Sequence, residues 1–319
     1  MSESRSAKSR RRGGRKASES RPKRGGMRSG RSSRHSSSRQ EVKPAAKSVE
    51  SPQETPSDTG GWPTKIEAPK GEIRLQKWLA QAGLCSRREG ERWIAEGRVA
   101  VNDETVNQQG IKVGPKDSVA VDGKPVYRPR RRKRTLLAFY KPRGVLCTRS
   151  DPKGRTTIFE LLDPMLPRLI NVGRLDYTTE GLLLLTDDGD LAHALMHPSS
   201  QVPRVYRVKV RGRMGDERLA RIAQGVRLED GPTGPLELKR DRIINTHTWL
   251  TITLREGRNR IVRRIFEHVD FPVARLIRTS YGGIDLGELP KGRWRPVTKE
   301  ESEPLFRSLP SVDRGEKGS

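Results

Sequence analysis

Four consecutive leucines, Leu182 to Leu185, are the strongest constraint on how this chain folds. A run that short and that apolar suits a strand covered on both faces. Its flanks are polar and glycine-bearing. Gly173 and Gly181 bracket a loop in which one carboxylate, Asp176, stands between Leu175 and Tyr177. After the leucines a Gly-containing turn leads into a short helical pattern, Leu191 to Met196, for which Asp190 is the expected N-cap. A single carboxylate displayed between two rigid elements is a seat for covalent chemistry.

Charge narrows the partner. The chain carries 65 Lys+Arg against 39 Asp+Glu, a net +26, which calls for a polyanion: nucleic acid first, anionic membrane as the competitor. No apolar run approaches the ~18–20 residues that span a bilayer. The two cysteines, Cys85 and Cys147, form no CxxC, which argues against a zinc ribbon or a disulfide framework and fits the reducing cytoplasm. Residues 1–40 hold 14 Lys+Arg against Glu3 and Glu19, so they supply +12 and leave +14 for the remainder. Residues 1–71 therefore read as a disordered basic Arg/Ser/Gly-rich tail and Pro-containing linker. Such a tail adds salt-sensitive RNA affinity. An Arg- and Ser-rich start also resembles a transit peptide, although this one is Gly-broken and lacks an amphipathic apolar face.

Residues 72–125 read as a compact module. Leu75, Trp78, Leu79 and Ala82 fall at helical spacing before Gly83, and Ser86 with Glu89 forms a capping box for a second helix ending at Gly97. Short strands follow, with Lys77, Arg87, Arg88, Arg92 and Arg98 expected on the surface. The pattern Leu75-Gln-Lys-Trp-Leu, then Cys85-Ser-Arg-Arg, then Gly97-Arg-Val-Ala-Val-Asn resembles the S4 RNA-binding domain. Asp103 stands where many members have Gly, which should alter only a turn. That resemblance implies RNA contacts for the five cations. A basic linker, 126–134, follows.

Residues 135–300 mix strands and helices without a βαβ repeat, which indicates an α+β domain: a mixed, mainly antiparallel sheet with flanking helices. Leu136–Tyr140 reads as a strand that Val145–Thr148 continues. Arg204–Arg211 alternates, with Tyr206, Val208 and Val210 on one face. Asn259 is the expected N-cap of a helix whose apolar face is Ile261, Val262, Ile265 and Phe266, with Arg263 at its edge. Residues 301–319 read as a C-terminal tail. There is no phosphate loop and no HExxH. His193 and His197 share a helix face but lack a third ligand for zinc, and Asp187 to Asp190 lack calcium-loop spacing.

Gly173-Arg-Leu-Asp with Thr179-Glu-Gly-Leu-Leu-Leu-Leu-Thr-Asp-Asp-Gly189, Tyr140-Lys-Pro-Arg-Gly144, the Tyr206 strand and Gly257-Arg-Asn-Arg-Ile-Val-Arg-Arg264 together resemble the pseudouridine synthases that modify ribosomal RNA and carry an N-terminal S4 domain. Leu146 to Arg155 and Val226 to Gly231 resemble members acting on the large subunit. The resemblance implies isomerisation of a uridine in rRNA, 23S rRNA above all, by a monomer that uses no cofactor and no metal. It implies Asp176 as the essential carboxylate, acting as nucleophile or general base, Arg263 as its basic partner and Tyr206 as the aromatic under the target base. It also points to RNA contacts at Arg174, Arg258 and Arg260. The same chemistry on 16S rRNA, and a non-catalytic assembly factor, are the competing expectations. Deleting residues 1–60 should weaken RNA binding and flatten its salt dependence without slowing turnover of bound RNA, as filter binding over a salt series will show; an unchanged slope refutes the role of the tail.

Overall fold

The computed structural model describes residues 71–127 and 134–310. The expected tail before Gly71, most of the basic linker and the last nine residues lie outside the described residues.

The first module is built as its sequence requires. Strand β1 (Ile73–Arg74) runs into helix α1 (Leu75–Gln81), and α2 (Arg87–Ala95) follows. The capping box is formed: Ser86 Oγ accepts from the Glu89 amide at 3.1 Å, and the Glu89 carboxylate accepts from the Ser86 amide at 3.3 Å. Strands β2 (Val99–Val101), β3 (Glu104–Val106), β5 (Val119–Val121) and β6 (Lys124–Val126) form an antiparallel sheet in the order β3-β2-β5-β6, while β4 (Lys112–Val113) pairs with β1. Leu75, Trp78, Leu79, Ile94, Val99 and Val119 fill the core. The β2–β3 turn places Asn102 at φ 50° and Asp103 at φ 68°, left-handed positions that Asn and Asp tolerate. The departure at Asp103 thus falls in a turn.

The second domain is a nine-stranded sheet. Its strands are β7 (Leu136–Lys141), β8 (Ile170–Asn171), β9 (Glu180–Thr186), β10 (Arg204–Arg211), β13 (Glu237–Ile244), β14 (His247–Leu254), β15 (Val273–Tyr281), β16 (Ile284–Asp285) and β17 (Trp294–Pro296). A separate hairpin pairs β11 (Arg227–Leu228) with β12 (Gly231–Pro232). The path is β13-β14-β10-β15-β9-β7-β17, with β16 beside β15 and β8 beside β9. All pairs are antiparallel except β9 with β15. Helices α3 (Gly189–Met196), α4 (Asp216–Ala223), α5 (Ile261–His268) and α6 (Lys299–Ser308) flank it. The expected α+β class with a mixed, mainly antiparallel sheet is what forms.

Strand β9 is its centre, with all seven residues buried. Leu182 and Leu184 face a core that includes Leu191 and Leu195 of α3 and Leu305 of α6. Leu183 and Leu185 face Ile158, Leu169 and Leu175 on the other side. Burying each leucine contributes roughly 1.5–3 kcal/mol. Gly181 has φ +111°, and a Cβ there would collide with the backbone of Arg278, its parallel partner on β15. Only glycine lets the two strands come this close.

Several expectations need correction. Residues 301–319 do not begin as a tail: α6 is capped by Thr298 and Glu301, buries Leu305, and ties Glu301 to Arg295 at 2.7 Å. Val145–Thr148 does not continue β7, because the Gly144 turn, at φ +80°, redirects the chain and leaves only an isolated bridge from Leu146 to Thr157. Asp188, not Asp190, caps α3, accepting from the amides of Asp190 and Leu191 at 2.9 and 3.1 Å. Asn259 does not cap α5; Arg260 occupies that position, left-handed and without a side-chain cap. Gly181→Ala should push β9 off β15 and destabilise the domain by about 1–3 kcal/mol, measured by urea denaturation; an unchanged midpoint would contradict the close approach.

Candidate active site

Asp176 sits in the loop that enters β9, and two anchors fix that loop. Leu175 is buried in the core beside Leu183. Lys141, the last residue of β7, is fully buried and donates to the carbonyls of Pro142, Asp176 and Thr179 at 3.0, 3.2 and 2.8 Å. Burial pushes its ammonium below the usual lysine range. The two loop carbonyls, of Asp176 and Thr179, tie the loop backbone to one buried cation without touching the Asp176 carboxylate. That carboxylate keeps a third of its side-chain surface open to the cleft.

Arg263 approaches from α5. Its Nε lies 4.0 Å from Asp176 Oδ2, at the outer edge of an ion pair and without a hydrogen bond. Its other nitrogens donate to the carbonyls of Thr178 (3.3 Å) and Val273 (3.4 Å). Burial, together with the nearby Arg260 charge, pulls its pKa down while Asp176 and Glu267 oppose the shift. An arginine stays charged regardless, so a buried cation faces the open carboxylate across 4.0 Å. Glu267, one turn along α5 from Arg263, pairs with Arg260 at 3.6 Å. Tyr206, half-buried on β10, follows a bulge between Val205 and Tyr206 in the pairing with β15, the kind of irregularity that re-aims a side chain. Asp176, Tyr206, Arg174, Arg260 and Arg278 line one cleft of about 540 Å³, a size that suits a small-molecule-sized group such as one nucleotide.

The structure brings Asp176, Arg263 and Tyr206 together, with Arg174 and Arg260 at the cleft. Arg258 also lines it, but its guanidinium is occupied: it meets Glu256 at 2.7 Å and Asp230 at 2.8 Å. Arg264 grips the same Asp230, whose carboxyl is held down to about 2 chiefly by that hydrogen bond. Arg258 therefore ties the β11–β12 hairpin to the start of α5. Lys77 is likewise engaged, with Asp190 of α3 at 2.8 Å. Arg98 forks onto Asp122 and stacks on Trp93, and Arg92 lies between Glu89 and Glu96. Arg87 and Arg88 are exposed and have no carboxylate partner among the described residues. The sequence reading assigned no role to Lys141, Arg278 or Asp230. A lysine ending the otherwise apolar run Leu136–Tyr140 was the available signal for the first. Nothing local marks the others, whose partners lie far along the chain.

A basic two-helix module followed by a sheet that shows one carboxylate to a buried guanidinium and an aromatic ring defines an enzyme acting on RNA. Comparison with known proteins agrees. A family model described as RNA pseudouridylate synthase matches residues 135–268, and the S4 domain model matches 73–119. The chain is 43% identical over 240 residues to an uncharacterized RNA pseudouridine synthase of Aquifex aeolicus, covering 75% of this chain and 95% of that one. It is 46% identical over 238 residues to ribosomal large subunit pseudouridine synthase B of Haemophilus influenzae (73% of this chain, 67% of that). The Yersinia pestis protein of the same name is 44% identical over 246 residues (75% and 77%). The fold overlays a crystal structure of a pseudouridylate synthase with a TM-score of 0.53 at 29% identity, covering 73% of this chain and 99% of that one. The chain belongs to the RNA pseudouridine synthase family. Lys141→Met should remove the lysine donor from two carbonyls of the Asp176 loop and misplace Asp176, lowering single-turnover rate about 100-fold with RNA affinity kept; a wild-type rate would show that the loop needs no such anchor.

Proposed function

We propose that this enzyme isomerises one uridine of large-subunit ribosomal RNA to pseudouridine, with Asp176 as the reacting carboxylate and no cofactor. The observation that carries the reading is the open Asp176 carboxylate 4.0 Å from buried Arg263, in the same cleft as Tyr206. The reaction breaks the bond from ribose C1′ to uracil N1, turns the base, joins C5 to C1′, and moves the C5 proton so that N1 ends protonated. Every atom and electron is conserved, so neither a redox partner nor an energy source is called for. Asp176 serves as the nucleophile or the base, and both roles use its carboxylate, with the Arg263 cation beside it. A nucleotide inside folded RNA reaches the carboxylate only out of its stack. Tyr206 then offers a face to the extruded base, where stacking contributes about 1–3 kcal/mol.

The large-subunit substrate is supported by the relatives named ribosomal large subunit pseudouridine synthase B. Cytoplasmic residence belongs to the same reading: both cysteines are free, and no helix among the described residues is long and apolar enough to cross a membrane. Mapping pseudouridines in ribosomal RNA from cells with and without the protein tests it. Loss of one site in 23S rRNA is the expected result, loss in 16S rRNA would move the substrate, and no loss would leave a binding factor. Asp176→Asn should abolish the isomerisation while RNA binding is largely kept; pseudouridine formed at the wild-type rate by that variant would sink the mechanism.

A further inference from the structure

Strand alternation gives the sheet a second, charged face. Tyr206, Val208 and Val210 of β10 point to the side covered by α4 and α5, so Arg207, Lys209 and Arg211 point away from it. Residues directly opposite in antiparallel strands share a face. Register therefore lines up Arg242, Trp249, Lys209 and Arg275 as one row across β13, β14, β10 and β15. Lys239, Thr251 and Arg207 form the next row, and Arg211 lies beyond Lys209 on β10. Adjacent positions in this grid are about 5–7 Å apart, from strand spacing and two-residue rise, and cations on either side of β14, such as Lys209 and Arg242, are about 10 Å apart.

Three carboxylates share this face, and each is engaged. Glu237, opposite Thr253, has Arg255 at 3.3 Å. Arg207 has Asp241 at 3.6 Å, and Arg275 has Glu180 at 2.5 Å. Lys209, Arg211, Lys239 and Arg242 have no carboxylate partner among the described residues, and Arg211, Lys239 and Arg242 are exposed. Trp249 is 9% exposed beneath Arg207, whose guanidinium lies 5.2 Å from the ring centre. The indole stiffens the cationic layer and leaves no open ring for a base to stack on. A surface of unpaired cations without an open aromatic recognises phosphodiester backbone, not base edges.

We propose that this outer sheet face is a second RNA-binding surface, holding the backbone of a folded segment other than the one whose uridine enters the cleft. The inference rests on the reading that the substrate is ribosomal RNA. The cleft opens on the opposite side of the sheet, so a short strand docked at Tyr206 cannot reach Lys209 or Arg242. An extended, structured RNA can, by wrapping around the edge at β13. The outer face thereby favours long folded substrates over isolated hairpins.

Lys209→Glu/Arg242→Glu tests this in the full chain, with Lys209→Gln/Arg242→Gln beside it and melting curves confirming that both fold. The probes are a transcribed 23S rRNA domain containing the mapped uridine and a short stem-loop carrying only that uridine. The charge-reversed enzyme should bind the long RNA at least about tenfold more weakly, and the glutamine variant should lower the slope of log K against log salt by about 2, one step per lost contact. Binding and turnover of the stem-loop should stay at wild type. An unchanged affinity for the long RNA overturns the proposal, and so does an equal loss on the stem-loop. A defect confined to particles containing ribosomal proteins also overturns it and assigns the face to a protein. Since the readout is binding, its failure is separable from failure of the proposed reaction, which the mapping reports.

Discussion

The close parallel contact between β9 and β15 at Gly181 is what the arrangement of the candidate site depends on. It is the one parallel pairing in an otherwise antiparallel sheet. It joins the strand that receives the Asp176 loop to the strand that stands opposite Tyr206. Arg278 reinforces the junction from its side chain, donating from Nε to the Leu182 carbonyl at 2.7 Å. The leucines of β9 then clamp the strand from both faces, so the loop leaves a rigid support. Lys141 completes the support from β7. Asp176 is thus positioned by its own backbone, and its carboxylate stays available.

Electrostatics follows from the same construction. Lys141, Arg204, Arg263 and Arg278 are all buried around the cleft. Lys141 and Arg204 spend their charge largely on carbonyls, and Arg204 and Arg278 also stack on the Tyr281 ring. Backbone carbonyls solvate a buried cation without neutralising it, so the cleft stays positive. That suits an RNA substrate, which arrives with phosphates.

What the sequence revealed, and what it hid, divides by distance along the chain. The leucine run, the Ser86–Glu89 box and the alternation of Arg204–Arg211 are local patterns with one physical meaning, and each became the expected element. Asn259 misled because a side chain suited to capping stands one residue before a left-handed arginine that opens the helix. Helix α6 was hidden although Thr298 and Glu301 announce it, because its acidic first turn shows little apolar face. Strand β13 escaped because it is an edge strand with charged residues, Glu237, Lys239 and Arg242 among them, along its open side. The Lys141 and Asp230 contacts join residues about 30 or more positions apart, so no window of sequence displays them. Asp176, Tyr206 and Arg263 were legible only through the resemblance of their surrounding motifs. An isolated Asp, Tyr or Arg carries no such signal.

Two guanidinium nitrogens at the cleft, Arg263 Nε and Arg278 Nη2, are buried without a hydrogen-bond partner. A buried donor left unpaired costs about 1–3 kcal/mol, and satisfying either with a carboxylate would have been the stabilising choice. For Arg263 the cost has a reason. A full hydrogen bond to Asp176 would hold the carboxylate at α5 and turn it from the cleft, whereas a 4.0 Å separation keeps the charge interaction and frees the oxygens. Coulomb attraction falls only as the inverse of distance, but a hydrogen bond is lost within a few tenths of an ångström beyond its range. Placing the guanidinium just outside hydrogen-bond reach therefore keeps most of the electrostatic benefit while sacrificing stability that the leucine core of β9 can supply.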